Sequence, residues 1–347
     1  MIKPTAALFY TKAGSLYVSD RAGTPGRKLT DGPADTQPAP SPDLSQVAFV
    51  RKATASDYGG ELWVLDLSPQ LEPVGPPRRL VDPAALPSGS GDLPPMAGHP
   101  RWSPTGQRVA FVDNSNDGMV DGGVLLVAAA DTGVLVPAQQ PPFADSAFAW
   151  APDGRHIAWT QARSDVSPVT INVLAVDGAS TPVATDTNAF SVTYGKDGQA
   201  VLFANGDASG PDFATIPFAV RTGGIYSVTT PGGAGAKPPA PTALFTTPGS
   251  YYSDIAALDS GGLAFTAQGA DVSSKTIQVL DEGSSVPRTT VTDVAAAAQG
   301  PGWSVGDFVA YIDTSPESSL VVTDLDSRSP RRVDTGVDTF AWAPRSR

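Results

Sequence analysis

One stretch of the chain carries the side chains of a metal site: Asp113-Asn114-Ser115-Asn116-Asp117-Gly118-Met119-Val120-Asp121. Counted from Asp113, oxygen-bearing side chains stand at positions 1, 3, 5 and 9, a glycine stands at 6 for the sharp turn, and the Met119 carbonyl falls at 7. Hard oxygen donors at this spacing converge on Ca2+. The candidate calcium ligands are therefore Asp113, Ser115, Asp117, Met119 through its backbone, and Asp121. Two positions depart from the fullest form: Ser115 replaces a carboxylate, and Val124 stands where an EF-hand has its bidentate glutamate. Asn and Asp are also good turn formers, so a metal-free turn is the alternative.

Little else could do chemistry. His99 and His156 are the only histidines and cysteine is absent, so neither a disulfide framework nor a thiol nucleophile is available. His156 occupies the same place after a tight turn as Gln46 and Arg108 do after theirs, which marks it as an exposed polar residue at the start of a strand. No G-x-S-x-G elbow is present. The Gly-rich run Pro231 to Lys237 lacks the spacing of a phosphate loop and reads as a linker turn. We expect no catalytic and no cofactor-binding residue.

The elements that must position these residues repeat along the chain. In Phe148 to Trp159 a turn, Ala151-Pro152-Asp153-Gly154, separates Trp150 from Ile157 and Trp159, whose every-second-residue spacing is that of a strand. Proline presets the second turn position and glycine suits the fourth. Copies run from Pro40-Ser41-Pro42-Asp43 into Val47 to Val50, and from Trp102-Ser103-Pro104-Thr105-Gly106 into Val109 to Val112. Weaker ones precede Val201, Leu263 and Val309, and a last copy begins at Trp342 and stops. The second-strand markers Val47, Val109, Ile157, Val201, Leu263 and Val309 lie 44 to 62 residues apart, near the roughly 40 to 50 residues of known propeller repeats. A third strand follows each marker, at Glu61 to Asp66, Val124 to Val127, Ile171 to Leu174, Ile225 to Val228, Ile277 to Leu280 and Leu320 to Asp324. Fourth strands are expected at Arg78 to Val81, Thr242 to Phe245 and Arg331 to Val333.

The W-S-P-D-G turn followed by an I-A-F-like strand resembles the PD40 repeat of TolB-like propellers, also found in the propeller domains of prolyl-oligopeptidase relatives. The resemblance covers nearly the whole chain. It implies an all-β fold: a single WD40-like β-propeller domain over residues 1–347, built from blades of four antiparallel strands. Repeats start near 39, 100, 148, 191, 255 and 301. Ala7 to Tyr10, Leu16 to Ser19 and Arg27 to Thr30 read as second, third and fourth strands that lack a first, which Phe340 to Trp342 can supply. This composite blade, residues 338–347 with 5–30, makes seven blades and closes the ring through both termini, with six as the alternative count.

On that architecture Trp102, Trp150, Trp303 and Trp342, each just before a turn, are expected to pack between blades. Arg78, Arg79, Arg331 and Arg332 are expected to be solvated charges on outer edges. His99, in the segment leading into a first strand, could face the channel mouth, but one histidine is too few for a multi-histidine metal site. Several carboxylates or histidines recurring on the channel-facing first strands would mark an enzyme, and none are found in the sequence. The inserts Asp82 to Pro100 and Asn205 to Pro241 are loops, where binding usually resides.

The totals exclude further classes. A net charge of −12 argues against nucleic acid, whose binding rests on clustered cations, and no apolar run is long enough to insert in a membrane. The start Met1 to Thr5 lacks an apolar signal core, but TolB-like proteins are commonly exported. The expectation is thus a bacterial periplasmic, cell-surface or lipoprotein-derived monomer. It would be a non-catalytic scaffold binding a protein or cell-envelope component through loops on one face. The alternative is a propeller enzyme, of lyase or hydrolase type, acting on a carbohydrate or small molecule at the channel mouth.

Overall fold

The computed structural model describes residues 7–19, 24–57, 59–86, 95–113, 123–136, 144–161, 169–206, 222–230, 239–269, 275–297, 304–305, 308–325 and 329–342. Among them there is no α-helix, only a short 3-10 turn at Pro83–Ala85, and hence no helix long and apolar enough to cross a membrane. The rest is antiparallel sheet.

From the amino end, β1 (Leu8–Lys12), β2 (Ser15–Ser19) and β3 (Arg27–Lys28) share a sheet with the last strand of the chain. The second sheet orders β4 (Ala34–Pro40), β5 (Gln46–Lys52), β6 (Glu61–Asp66) and β7 (Arg78–Arg79). The third has β8 (Ala97–Trp102), β9 (Arg108–Asp113) and β10 (Val124–Ala129), with a single bridge from Ala128 to Leu135 where a fourth strand would lie. Two more four-stranded sheets follow: β11 (Ala144–Trp150), β12 (His156–Gln161), β13 (Val169–Ala175) and β14 (Ser180–Thr187), then β15 (Ala189–Tyr194), β16 (Ala200–Gly206), β17 (Thr222–Thr229) and β18 (Thr242–Pro248). A larger sheet holds β19 (Tyr251–Ala257), β20 (Leu263–Gln268), β21 (Lys275–Leu280), β22 (Arg288–Ala297), β23 (Ser304–Val305), β24 (Phe308–Asp313), β25 (Leu320–Asp324) and β26 (Pro330–Asp334). It divides at β22, whose amino half pairs with β21 and whose carboxyl half, Val294 to Ala297, pairs with β24. One strand therefore ends one repeat and begins the next. The turn motif before Val309 gave no hint of this.

Each repeat follows a gradient of burial. Second strands are continuous apolar runs, as in Val47-Ala48-Phe49-Val50, because neighbouring sheets cover both their faces. Third strands vary: in β6 Leu62 and Val64 are buried while Glu61 and Trp63 are only partly covered, whereas β25 is buried from Leu320 to Thr323. Outer strands such as β3 are exposed. The same second-strand position holds Phe9, Phe49, Phe111, Trp159, Phe203, Phe265 and Tyr311, all buried, and each such ring removed to alanine costs about 3–5 kcal/mol. The residue before the ring is usually alanine, as in Ala48, Ala110, Ala158, Ala264 and Ala310, a small buried group that leaves room for the adjoining sheet.

Two of the tryptophans before the turns pack between sheets and add a directed bond. Trp102 Nε1 donates to the Ala39 carbonyl at 2.7 Å, and Trp150 Nε1 to the Arg101 carbonyl at 3.0 Å. Trp342 is buried opposite Leu8, and Trp303 lies outside the described residues.

The last strand, β27 (Thr339–Trp342), pairs antiparallel with β1, from Leu8 opposite Trp342 to Thr11 opposite Thr339. The same two ends are fastened by charge. Tyr10 donates its hydroxyl to Asp334 Oδ2 at 2.6 Å and Lys12 Nζ donates to Oδ1 at 2.9 Å, tying β1 to β26. Burial, reinforced by the hydrogen bond to Asp334, pushes the Tyr10 phenol well above its ordinary range. Partial burial would raise the Asp334 carboxyl, but the bonds from Tyr10 and Lys12 outweigh it and hold the group below its ordinary 3.8. A depressed carboxyl stabilises the fold above its unfolded pKa and loses that contribution as pH falls through the lower folded value. Asp334→Asn should therefore lower the urea midpoint at neutral pH. The deficit relative to wild type should shrink as pH drops below 3.8. A deficit independent of pH down to acid unfolding would exclude this role.

Candidate functional site

The tight turns between first and second strands form a row. In five repeats the amide of the fourth turn residue donates to the carbonyl of the first: Leu44 to Ser41, Gly106 to Ser103, Gly154 to Ala151, Gly198 to Gly195 and Gly261 to Leu258, all at 2.9–3.0 Å. That fourth residue is left-handed in every case, even where it is Leu44 with φ 62°. Successive turns touch. A Cβ at Gly154, besides straining a φ of +67°, would meet Thr105 Cγ2 at 3.0 Å, and one at Gly198 would meet Pro152 Cδ at 3.3 Å. The row continues through Lys196 Nζ, which donates to the Asp259 carbonyl at 2.5 Å. These turns thus occupy one rim of the molecule.

Strand parity assigns the other connections. In an antiparallel meander the links from first to second and third to fourth strands leave from one end, and those from second to third and fourth to the next first strand from the other. The start of β8, the end of β16 and the start of β17 therefore lie at the rim opposite the turn row. The end of β17 and the start of β18 lie at the turn-row rim. The third strand expected at Ile225 to Val228 is present within β17, so the strand ends bordering the two parts of the second insert point to different rims.

Four residues ahead of each turn lies a second shared feature. There the first strand bulges out of register with its neighbour, between Thr36 and Ala39, Gly98 and Arg101, Ala144 and Phe148, Ala189 and Ser191, and Ser253 and Ala256. Gln37, His99 and Asp254 occupy this place with left-handed φ of 51°, 55° and 52°, a conformation that costs a non-glycine residue of order 1–3 kcal/mol. The bulge withdraws backbone N–H groups from the ladder, and the adjoining first strand supplies acceptors. Gln37 N donates to Thr339 Oγ1 at 2.9 Å, His99 N to Gln37 Oε1 at 2.6 Å, and Ile255 N to Ser191 Oγ at 3.0 Å. Thr339 also meets Thr11 Oγ1 at 2.8 Å.

Arg101, two residues after His99, is partly buried. Its Nη1 donates to the Phe148 carbonyl at 2.5 Å and its guanidinium lies 4.8 Å from the centroid of the Phe148 ring. Burial lowers its pKa to about 10, opposed by the field of Asp254, so it stays cationic at neutral pH. Asp254 Oδ2 accepts from Ser253 Oγ at 2.9 Å and Thr266 Oγ1 at 2.7 Å.

Of the calcium ligands expected from the sequence, Asp113 is buried at the end of β9, opposite Val124 and Ala97, while Ser115, Asp117, Met119 and Asp121 lie outside the described residues. Among the described residues no three His, Asp or Glu side chains gather as a metal-binding group. His156 stands half exposed at the start of β12 with Nδ1 2.7 Å from Asp153 Oδ2, buttressing its own turn. Two expectations require correction. His99 lies within β8 rather than in a segment ahead of it, and it shares its repeat position with Asp254 of β19. The bulge hid them by breaking the two-residue alternation, but counting four back from each turn would have found them. Arg78 and Arg79 are also more than solvated edge charges. Arg78 Nη2 donates to the Ala130 carbonyl of the next sheet at 3.2 Å, and Arg79 pairs with Glu61 at 3.1 Å.

Solved structures with this architecture include TolB from Acinetobacter baumannii, with a TM-score of 0.56 at 17% identity over 86% of this chain and 67% of that one. The fold is a TolB-like β-propeller. Tricorn protease aligns with a TM-score of 0.64 at 11% identity over 96% of this chain, which spans only 33% of that protein. An oligogalacturonate lyase solved in complex with manganese gives 0.57 at 15% identity, covering 96% of this chain and 86% of the lyase. No protein-family model and no curated protein matches the chain. In closed propellers the first strands surround a central channel, and Thr339, Gln37, His99, Arg101, Ser191 and Asp254 all stand on first strands.

If side-chain acceptors satisfy the bulge amides, Thr339→Val should strand the Gln37 N–H and destabilise by about 1–3 kcal/mol. Thr339→Ser should restore most of the loss. Equal urea midpoints for Val and wild type would rule the acceptor role out.

Proposed function

We propose that residues 1–347 form one seven-bladed propeller closed by β27 beside β1, acting as a non-catalytic scaffold for a protein or cell-envelope component. The pairing of Leu8 to Thr11 with Thr339 to Trp342 supports the closure. Counting β22 through its carboxyl half as a first strand supports the seventh blade. The observation that carries the binding reading is the inequality of the two rims. One carries a row of touching tight turns, whereas the ends of the described strands that flank residues 87–94 and 207–221 stand at the opposite rim. Loops on a rigid scaffold are where binding surfaces arise. The likeness to TolB supports an exported location, and the net charge of −12 favours neutral or cationic partners.

Shortening 87–94 or 207–221 should abolish capture of the partner from native extract while the melting curve is preserved. Shortening 231–238, on the other rim, should leave capture intact. The enzyme reading draws its support from His99, Arg101 and Asp254 on first strands and from the likeness to the oligogalacturonate lyase. Turnover of a glycan, peptide or ester by the wild type, lost in His99→Ala, would establish it and overturn the scaffold.

We further propose Ca2+ at Asp113, Ser115, Asp117, Met119 and Asp121, on the strength of the donor spacing. A ligand that binds only the folded state stabilises it by mass action. Millimolar calcium should therefore raise the melting temperature of chelator-treated protein, and Asp117→Ala should remove the rise. No shift in the wild type would refute the site.

A further inference from the structure

We propose that the carboxyl-terminal strand β27 works as a conformational strap whose docking sets the backbone of β8 in the third sheet, through a relay of side chains centred on Gln37. Thr339, Gln37 and His99 stand three residues before Trp342, Pro40 and Trp102, at corresponding places in the first strands β27, β4 and β8. The relay therefore crosses from the first sheet through the second to the third.

Each link positions the next. Thr339 Oγ1, itself 2.8 Å from Thr11 Oγ1, accepts from Gln37 N at 2.9 Å, and Gln37 Oε1 accepts from His99 N at 2.6 Å. Gln37 and His99 are both left-handed, with φ of 51° and 55°. Such a conformation costs a non-glycine residue of order 1–3 kcal/mol and persists only where its surroundings hold it. The bond to Thr339 anchors the Gln37 amide. A Gln37 that relaxes to ordinary φ turns its Cβ in a new direction and withdraws Oε1 from His99, whose own left-handed backbone loses that acceptor. The two strained residues thus stand in series, with the strap at their head.

A third bulge supplies the contrast. Ile255 N donates to Ser191 Oγ at 3.0 Å, but Ser191 is not left-handed, so this link passes no strain onward. Ala147, at the corresponding place in β11, has no side-chain acceptor, which ends the relay at β8. From there β8 acts through its backbone, the Arg101 carbonyl accepting from Trp150 Nε1 at 3.0 Å. The strap is fastened separately ahead of β27, where Tyr10 and Lys12 bind Asp334, so loss of the Thr339 hydroxyl alone does not release the strand.

The test is amide hydrogen exchange of the intact chain, followed by NMR at positions 37, 99 and 255. Thr339→Val should speed exchange at 37 and 99 by about tenfold or more while 255 keeps the wild-type rate. Thr339→Ser should restore both. Gln37→Met, which keeps the stem and removes the acceptor, should speed 99 alone, and adding Thr339→Val to it should give no further increase there. Ser191→Ala should speed 255 alone. If Thr339→Val fails to fold, Thr11→Val, which removes the hydroxyl beside Thr339, takes its place and should speed 37 and 99 together. An unchanged rate at 99 in Gln37→Met or in the folded threonine variant, or an equal rise at 255, would overturn the proposal.

Discussion

Bulged first strands impose the constraint from which much of this molecule follows. At each bulge the ladder to the second strand loses register, and backbone amides that would have paired there need other acceptors, because a buried N–H without one is costly. Thr339, Gln37 and Ser191 provide them from the neighbouring first strand, so the solution within one sheet depends on the presence of the next. The inner part of the propeller is held together by polar bonds that cross from sheet to sheet.

Magnitudes separate this belt from the packing outside it. A buried aromatic ring such as Phe49 or Phe111 is worth about 3–5 kcal/mol against alanine, whereas one satisfied hydrogen bond contributes about 1 kcal/mol net. Aromatic packing on the second strands therefore supplies most of the cohesion between sheets. The belt fixes which residue stands opposite which, since a directed bond from Gln37 to Thr339 tolerates no slippage that an apolar contact would. Trp102 and Trp150 combine both effects, burying a ring and donating to the carbonyl of an adjoining first strand. Polarity is thus concentrated where the strands meet the channel, and apolar mass lies behind it.

The two rims differ because of the same meander. Turns between first and second strands lie close to their neighbours, so that a Cβ added at Gly154 would meet Thr105 Cγ2 at 3.0 Å. The start of β8, the end of β16 and the start of β17 stand at the opposite rim.

The sequence by itself determined the local elements. The Pro-Asp-Gly turns, the apolar second strands and the third strands from Glu61 to Asp66 and Leu320 to Asp324 lie where spacing and turn chemistry put them, since a turn and a two-residue alternation are decided by neighbours in the chain. The pairing of the amino-terminal strand with Phe340 to Trp342 was legible as well, because a repeat lacking its first strand and a repeat lacking the rest imply each other. Tertiary structure alone decided the rest. The double duty of β22 and the place of His99 inside a strand depend on partners distant in sequence. The positions of Gln37, His99, Ser191, Asp254 and Thr339 could have been found by counting four back from each turn. The bulges that erase the strand alternation there, and the hydrogen bonds that join these residues between sheets, were decided by tertiary structure.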